Sequence, residues 1–268
     1  MQPASLSDFI ARYRRFFVLT GAGCSTDSGI PDYRDGNGDW KRSQPVNFQA
    51  FMGSDAVRRR YWARSLVGWQ RFRRAAPNAA HAALARLEQQ GRLQHLVTQN
   101  VDGLHQAAGS MKVIDLHGRL DSVRCMECDS LMPREELQEE LLARNPEWRD
   151  VQGLAAPDGD ADLAGLPFDE FVIPACSRCD GILKPDVVFF GESVPRPRVE
   201  AAMRQLEQAE AVLVVGSSLM VYSGYRFVHA AAQAAKPVAA VNLGRTRADE
   251  LLTLKVSEPC ALALACGL

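Results

Sequence analysis

Long apolar runs are missing from this 268-residue sequence. The longest, such as Ala211–Val215, fall far short of the roughly 20 residues that a membrane span needs. Met1–Arg15 lacks the apolar core of a secretory signal, and the strand-like Phe16–Leu19 follows at once, so the N-terminus reads as the start of a folded domain. An excess of charge of either sign is also missing, with 31 Lys and Arg against 32 Asp and Glu. The formal net charge of −1 leaves no global basic field for nucleic acid, and no acidic tail points to disorder. Internal repeats are absent. What remains is ordinary for a globular protein, with 47% apolar and 24% charged residues. The length allows one large domain, or one domain with a smaller insertion.

Cysteine is present in an odd number: Cys24, Cys125, Cys128, Cys176, Cys179, Cys260 and Cys266. Four of them form two Cys-x-x-Cys pairs, which suit a metal better than disulfides and place the protein in a reducing, cytoplasmic compartment. Four thiolates at this spacing suit one tetrahedral zinc. A closed four-sulfur shell has no open position, so that zinc is expected to be structural. The rival is a pair of redox dithiols. A zinc ribbon that grips nucleic acid is disfavoured, because Met126-Glu127 and Ser177-Arg178 form no basic cluster. Cys24 and Cys266 read as small buried residues.

Strands and helices alternate along the chain. Phe16–Leu19, His95–Thr98, Val113–Leu116, Ala211–Val215 and Val238–Val241 read as strands, and Asn78–Gln90 and Val199–Ala209 as amphipathic helices. This rhythm predicts a parallel sheet covered on both faces. Two segments break it. Tyr33–Ala75, rich in Arg and aromatics, reads as a helical excursion. Cys125–Cys179 holds the paired cysteines, and within it Val151–Asp169 reads as a flexible loop. The expected organisation is an α/β fold: a Rossmann-like domain from residues 1–32, 76–122 and 183–268, a helical insertion at 33–75, and a small zinc-binding domain at 123–182.

Chemistry-bearing residues gather at strand ends. Gly21-Ala22-Gly23 follows the first strand. It is either an ordinary tight turn or a loop whose backbone approaches a phosphate. Gln99, Asn100 and Asp102 follow the second strand, where they line a cleft or simply make a turn. His117 follows the third; it is a general base if it faces a cleft, although a lone histidine is more often structural. Gly216-Ser217-Ser218 offers amides and hydroxyls suited to a phosphate or ribose. Val187–Phe190 is either a core strand or an edge that accepts a peptide. Tyr61 and Arg64 share one helix face, which is either solvated or able to read a carboxylate.

The run Gly21–Arg34, the run Thr98–His105, the His117-Gly118 pair, the two cysteine knuckles and Gly181–Glu192 together resemble the sirtuin family over nearly the whole chain. Tyr33 in place of the commoner Phe, and the run Arg60–Trp69, resemble its class II branch. The resemblance implies an NAD-dependent protein-lysine deacylase that releases nicotinamide and O-acyl-ADP-ribose, with NAD and one zinc. His117, Asn100 and Asp102 are its implied catalytic residues. Its implied NAD contacts are Gly21, Ala22, Gly23, Ser25, Thr26, Pro31, Asp32, Tyr33, Arg34, Gln99, Gly216, Ser217, Ser218, Asn242, Gly244 and Cys260. Val188 and Phe190 would wall the acyl-lysine, and Tyr61 with Arg64 would read an acidic acyl group. Acyl-lysine proteins or peptides are the expected partners of a monomeric enzyme that binds neither membrane nor nucleic acid. Mono-ADP-ribosyl transfer from the same site is the alternative; an NAD-dependent oxidoreductase and a non-catalytic zinc-ribbon module are the more distant rivals.

Overall fold

The computed structural model describes residues 3–41, 44–163 and 165–267. In chain order the strands are β1 Phe16–Thr20, β2 Leu93–Thr98, β3 Val113–Asp115, β4 Gly118–Cys125, β5 Leu131–Pro133, β6 Leu154–Ala155, β7 Ala161–Asp162, β8 Leu183–Val187, β9 Ala211–Val215, β10 Val238–Val241 and β11 Leu254–Val256. The helices are α1 Leu6–Arg12, α2 Phe48–Gly53, α3 Asp55–Phe72, α4 Ala79–Gln89, α5 Leu104–Ala107, α6 Arg134–Arg144, α7 Arg196–Gln208, α8 Tyr222–Gln233 and α9 Cys260–Gly267. The chain divides into two compact units. The first comprises residues 1–43, 76–116 and 194–268; the second comprises 44–75 and 117–193.

The first unit is a parallel sheet in the order β11-β10-β9-β1-β2-β3. Strands β1, β9 and β10 are buried at every position, as their unbroken apolar runs require in a sheet covered on both faces. Alternate side chains take opposite faces. Phe16 and Val18 pack with Leu6, Phe9, Leu84, Leu87 and Leu264 of α1, α4 and α9. Phe17 and Leu19 pack with Leu206, Phe227 and Val228 of α7 and α8. Asn78 caps α4, and Gly91, at φ +71, ends its C-terminal turn. The α/β class and the helix-covered sheet read from the sequence are therefore present.

In the second unit β5, β4 and β8 form an antiparallel sheet. Helix α3 buries Trp62, Leu66 and Trp69, and α6 buries Leu137 and Leu141. The Arg134 guanidinium is buried beside the rings of Trp62 and Trp69, 5.4 and 5.1 Å from their centroids, and donates to Ser65.

The units divide elsewhere than at the boundaries read from the sequence. Residues 117–122 and 183–193 belong to the second unit, where β4 pairs with β8 at Gly118–Val187 and again from Val123–Pro185 to Cys125–Leu183. Residues 33–41 belong to the first unit, so the helical excursion is split between the two. The stretch expected to be a flexible loop carries the β6–β7 hairpin, paired Leu154 with Asp162 and Ala155 with Ala161.

Candidate functional site

The glycine-rich loop of the first unit is fixed by backbone contact. Gly21 N–H donates to Val215 at 3.1 Å, and Gly23 N–H donates to Gly216 at 2.8 Å. Gly216 has φ +64, and a Cβ there would stand 2.2 Å from the Cys24 nitrogen. Only glycine allows this approach. The loop then turns through two short 3-10 segments, Ala22–Cys24 and Thr26–Ser28. Thr26 Oγ1 donates to the Gly23 carbonyl.

Ser25, Asn100 and Asp102 form one hydrogen-bonded set. The Ser25 hydroxyl donates to Asp102 at 2.7 Å. The Asn100 carboxamide donates to Ser25 Oγ at 3.0 Å and to the Gly21 carbonyl at 3.1 Å. The other Asp102 oxygen accepts the Leu104 N–H at the start of α5. The site residues at the ends of β1 and β2 are therefore brought together.

Two histidines, His81 and His105, stand behind this set. His81 Nδ1 accepts the Asn78 N–H at 3.2 Å. The ring proton therefore lies on Nε2, which faces Ser25 Oγ at 3.4 Å. His105 Nε2 meets Thr20 Oγ1 at 2.9 Å, and Thr98 Oγ1 accepts from both Thr20 and the Asn100 N–H. Burial lowers the His105 pKa to about 3 and holds it neutral. His81 and His105 also lie near Cys24, within metal-ligand spacing. The His81 nitrogens are already committed to the Asn78 N–H and Ser25 Oγ, so hydrogen bonds account for the placement of that ring. The sequence signal for His81 was its position three residues after the Asn78 cap, a capping-box spacing.

The remaining first-unit residues fall along neighbouring loops. Ser217 donates to the Gln99 carboxamide oxygen at 2.6 Å. The Ser218 carbonyl accepts from Arg247, and Asn242 donates to the Gly244 carbonyl. Between Pro31 and Lys41, Asp32 pairs with Lys41, Tyr33 meets Trp40 edge-on, and the Arg34 guanidinium sits 3.9 Å from the centroid of the Trp40 ring. Cys260 lies in the apolar core, where burial raises its thiol to about 12. The Cys266 side chain lies outside the described residues.

In the second unit the His117 carbonyl accepts the Val188 N–H at 2.7 Å. Gly118, at φ +84, makes this approach possible, since a Cβ would stand 2.0 Å from the Asp186 oxygen. The apolar run expected over Val187–Phe190 is only partly strand, for β8 ends at Val187. Beyond it the faces alternate: Val187 and Phe189 are buried, whereas Val188 and Phe190 are half-exposed. Phe48 N–H donates to the Phe190 carbonyl. Glu192 accepts from the Phe189 N–H and from buried Lys184, two residues the sequence did not single out. Tyr61 packs on Phe51 and Phe189. Arg64, expected to read a carboxylate from outside, already holds one, pairing with Asp160 at 2.7 Å.

The four paired cysteines converge. Their sulfurs lie within 4.8 Å of one another, with Cys125 to Cys179 at 3.5 Å and Cys128 to Cys176 at 3.8 Å. A tetrahedron with zinc–sulfur bonds of about 2.3 Å has edges of about 3.8 Å. The residues fit a closed structural zinc site, and Asp129 and Asp180, both left-handed, turn the two knuckles.

The Sir2 family model matches residues 21–223, more than half of the chain. An NAD-dependent protein deacetylase of Xanthomonas campestris pv. campestris (strain 8004) is 67% identical over 97% of this chain and 89% of that protein. The NAD-dependent protein deacylase Sirt4 of Drosophila melanogaster is 47% identical over 95% of this chain and 83% of that protein. Among solved structures, a Sir2–p53 peptide–NAD+ complex matches with a TM-score of 0.76 and 30% identity, covering 99% of this chain and 97% of that one. Glycine loop, polar set and cysteine shell thus occur in a chain that belongs to the Sir2 family.

Proposed function

We propose that this protein is an NAD-dependent protein-lysine deacylase that releases nicotinamide and O-acyl-ADP-ribose. One observation carries the reading. Ser25, Asn100 and Asp102 form a single hydrogen-bonded set at the strand ends of a chain 67% identical to an NAD-dependent protein deacetylase.

NAD, when bound, supplies an ADP-ribosyl group and a nicotinamide leaving group. Asn100 and Asp102 would hold the carboxamide end, oriented by Ser25. Gly21, Ala22, Gly23, Thr26, Gly216, Ser217 and Ser218 would bind phosphate and ribose, Gln99 the nicotinamide ribose, and Asn242 with Gly244 the adenosine ribose. Pro31, Asp32, Tyr33 and Arg34 would shield the bound dinucleotide. His117 would accept a hydroxyl proton at an imidazole nitrogen, the usual role of a histidine acting as general base. Val188 and Phe190 would flank the acyl-lysine side chain; their outward alternation supports this.

We place the chain in the class II branch on Tyr33 and the Arg60–Trp69 run, and in the cytoplasm on its cysteine usage. Among the described residues no helix is long and apolar enough to cross a membrane. Neither knuckle carries a basic cluster, which supports a protein substrate over nucleic acid, and we read the enzyme as a monomer.

The test is mass spectrometry of an acetyl-lysine peptide incubated with enzyme and NAD. The expected products are the peptide with its lysine unmodified, nicotinamide and O-acetyl-ADP-ribose, lost together in His117→Ala. A peptide heavier by an ADP-ribosyl group would show mono-ADP-ribosyl transfer and overturn the reading.

A further inference from the structure

The hairpin β6–β7 is built onto α3. Arg64 Nη2 pairs with Asp160 at 2.7 Å, and its Nε donates to the Ala161 carbonyl at 2.9 Å. One helical turn further, a Cβ on Gly68 would stand 2.3 Å from the Gly159 carbonyl oxygen, so only glycine admits the hairpin there. Gly159 in turn packs toward Phe72 and Leu120. Downstream of the hairpin, Arg59 donates to the Asp169 carbonyl and Arg60 approaches the Phe168 ring.

This helix face also meets the proposed acyl-lysine segment. The Tyr61 ring lies 5.3 Å from that of Phe189, the buried neighbour in sequence of the two residues assigned to the lysine walls. Arg64 is three residues on, along the same face. Both partners of the ion pair are largely buried, with 18% and 29% of their side chains exposed. Burial raises the Tyr61 phenol well above its usual pKa, and the neighbouring Asp160 carboxylate adds to the shift. The Asp160 carboxylate thus lies against Arg64, on the helix face that Arg64 shares with Tyr61.

We propose that Asp160 is a specificity-determining residue: its carboxylate occupies Arg64 as an internal anion and excludes acidic acyl groups in favour of neutral ones. The inference rests on the deacylase reading. A carboxylate on the same chain competes at an effective concentration of millimolar order, so an incoming acidic acyl group must displace a partner that is always present. Arg64 alone would accept a carboxylate through charge-assisted hydrogen bonds. Paired with Asp160, it offers an incoming anion no net charge.

The experiment compares succinyl-lysine and acetyl-lysine peptides of one sequence, with NAD and full-length protein. In wild type, acetyl is removed in preference to succinyl. In Asp160→Asn the succinyl-to-acetyl ratio of kcat/KM rises about tenfold, the scale of one hydrogen bond to a charged group. The double variant Asp160→Asn, Arg64→Met returns the ratio to the wild-type value. An unchanged ratio in both Asp160→Asn and Asp160→Ser, with wild-type melting temperature, overturns the inference. So does a gain that survives loss of Arg64. If wild type removes acetyl but the ratios do not move, only this inference fails; if no acyl group is removed, the deacylase reading fails and takes it along.

Discussion

The backbone N–H of Asn78 donates to Nδ1 of His81, and this one bond decides which ring nitrogen faces Ser25. Asn78 also caps α4 through Ala80 N–H and ties the loop down by donating to the Cys24 carbonyl and Ser28 Oγ. Replacing it with Ala should cost about 1–2 kcal/mol of stability through the lost cap. It should also raise the KM for NAD more than that for peptide, because the loop loses its tie. Equal changes in both constants would show that the residue acts on the fold alone.

A zinc in the four-cysteine shell would tie the two knuckles of the second unit together. Structural zinc contributes about 10–16 kcal/mol in small peptides, which matches or exceeds the whole stability of a typical domain. Cys176→Ser, or a strong chelator, should therefore abolish deacylation together with the tryptophan signal of Trp62 and Trp69, both buried in that unit. Full activity in metal-free protein, verified by elemental analysis, would rule out a structural role.

Low pH should destabilise the first unit through His105. Its folded pKa, about 3, lies below the ordinary value of 6.5, so the unfolded chain binds the extra proton. Stability is then fully present above pH 6.5 and is lost as pH falls toward 3, with a slope of up to about 1.4 kcal/mol per pH unit. Burial shifts His81 in the same direction. Denaturant unfolding between pH 7 and 4 measures the slope, which should be shallower in His105→Gln. An identical slope in the variant assigns the acid sensitivity elsewhere.

Gly118→Ala should be far costlier than a surface glycine replacement. The new methyl meets the Asp186 carbonyl in a left-handed backbone, a combination expected to cost about 2–4 kcal/mol. It also pushes on the hydrogen bond between the His117 carbonyl and Val188. The expected result is a lower melting temperature with a fall in kcat at saturating NAD. A melting temperature within a degree of wild type would contradict the close approach.

The parts of this architecture that local pattern dictates were legible in the sequence. Strands β1, β9 and β10 are unbroken apolar runs, and the polar set Ser25, Asn100 and Asp102 sits in runs that follow two of the strands. What long-range pairing dictates was not. The boundary near residue 183 depends on β8 meeting β4, and nothing in Leu183–Val187 states its partner. The 151–169 stretch reads as loop by composition. Its hairpin depends on Gly68 and Arg64, on a helix far away in sequence. Arg64 looked available for a ligand because its intramolecular partner lies in that same stretch. Lys184 was hidden inside an apolar run, where burial beside Glu192 cannot be read from neighbours.

At Gly216 the loop backbone and the end of β9 touch with no side chain between them. Two segments joined this way cannot loosen independently. Amide-exchange protection of Gly23 and of β9 should rise and fall as one cooperative block, and anything that steadies the loop should slow opening of the sheet's central strands by the same free energy. The thermal midpoint of the sheet thereby becomes a gauge of loop occupancy.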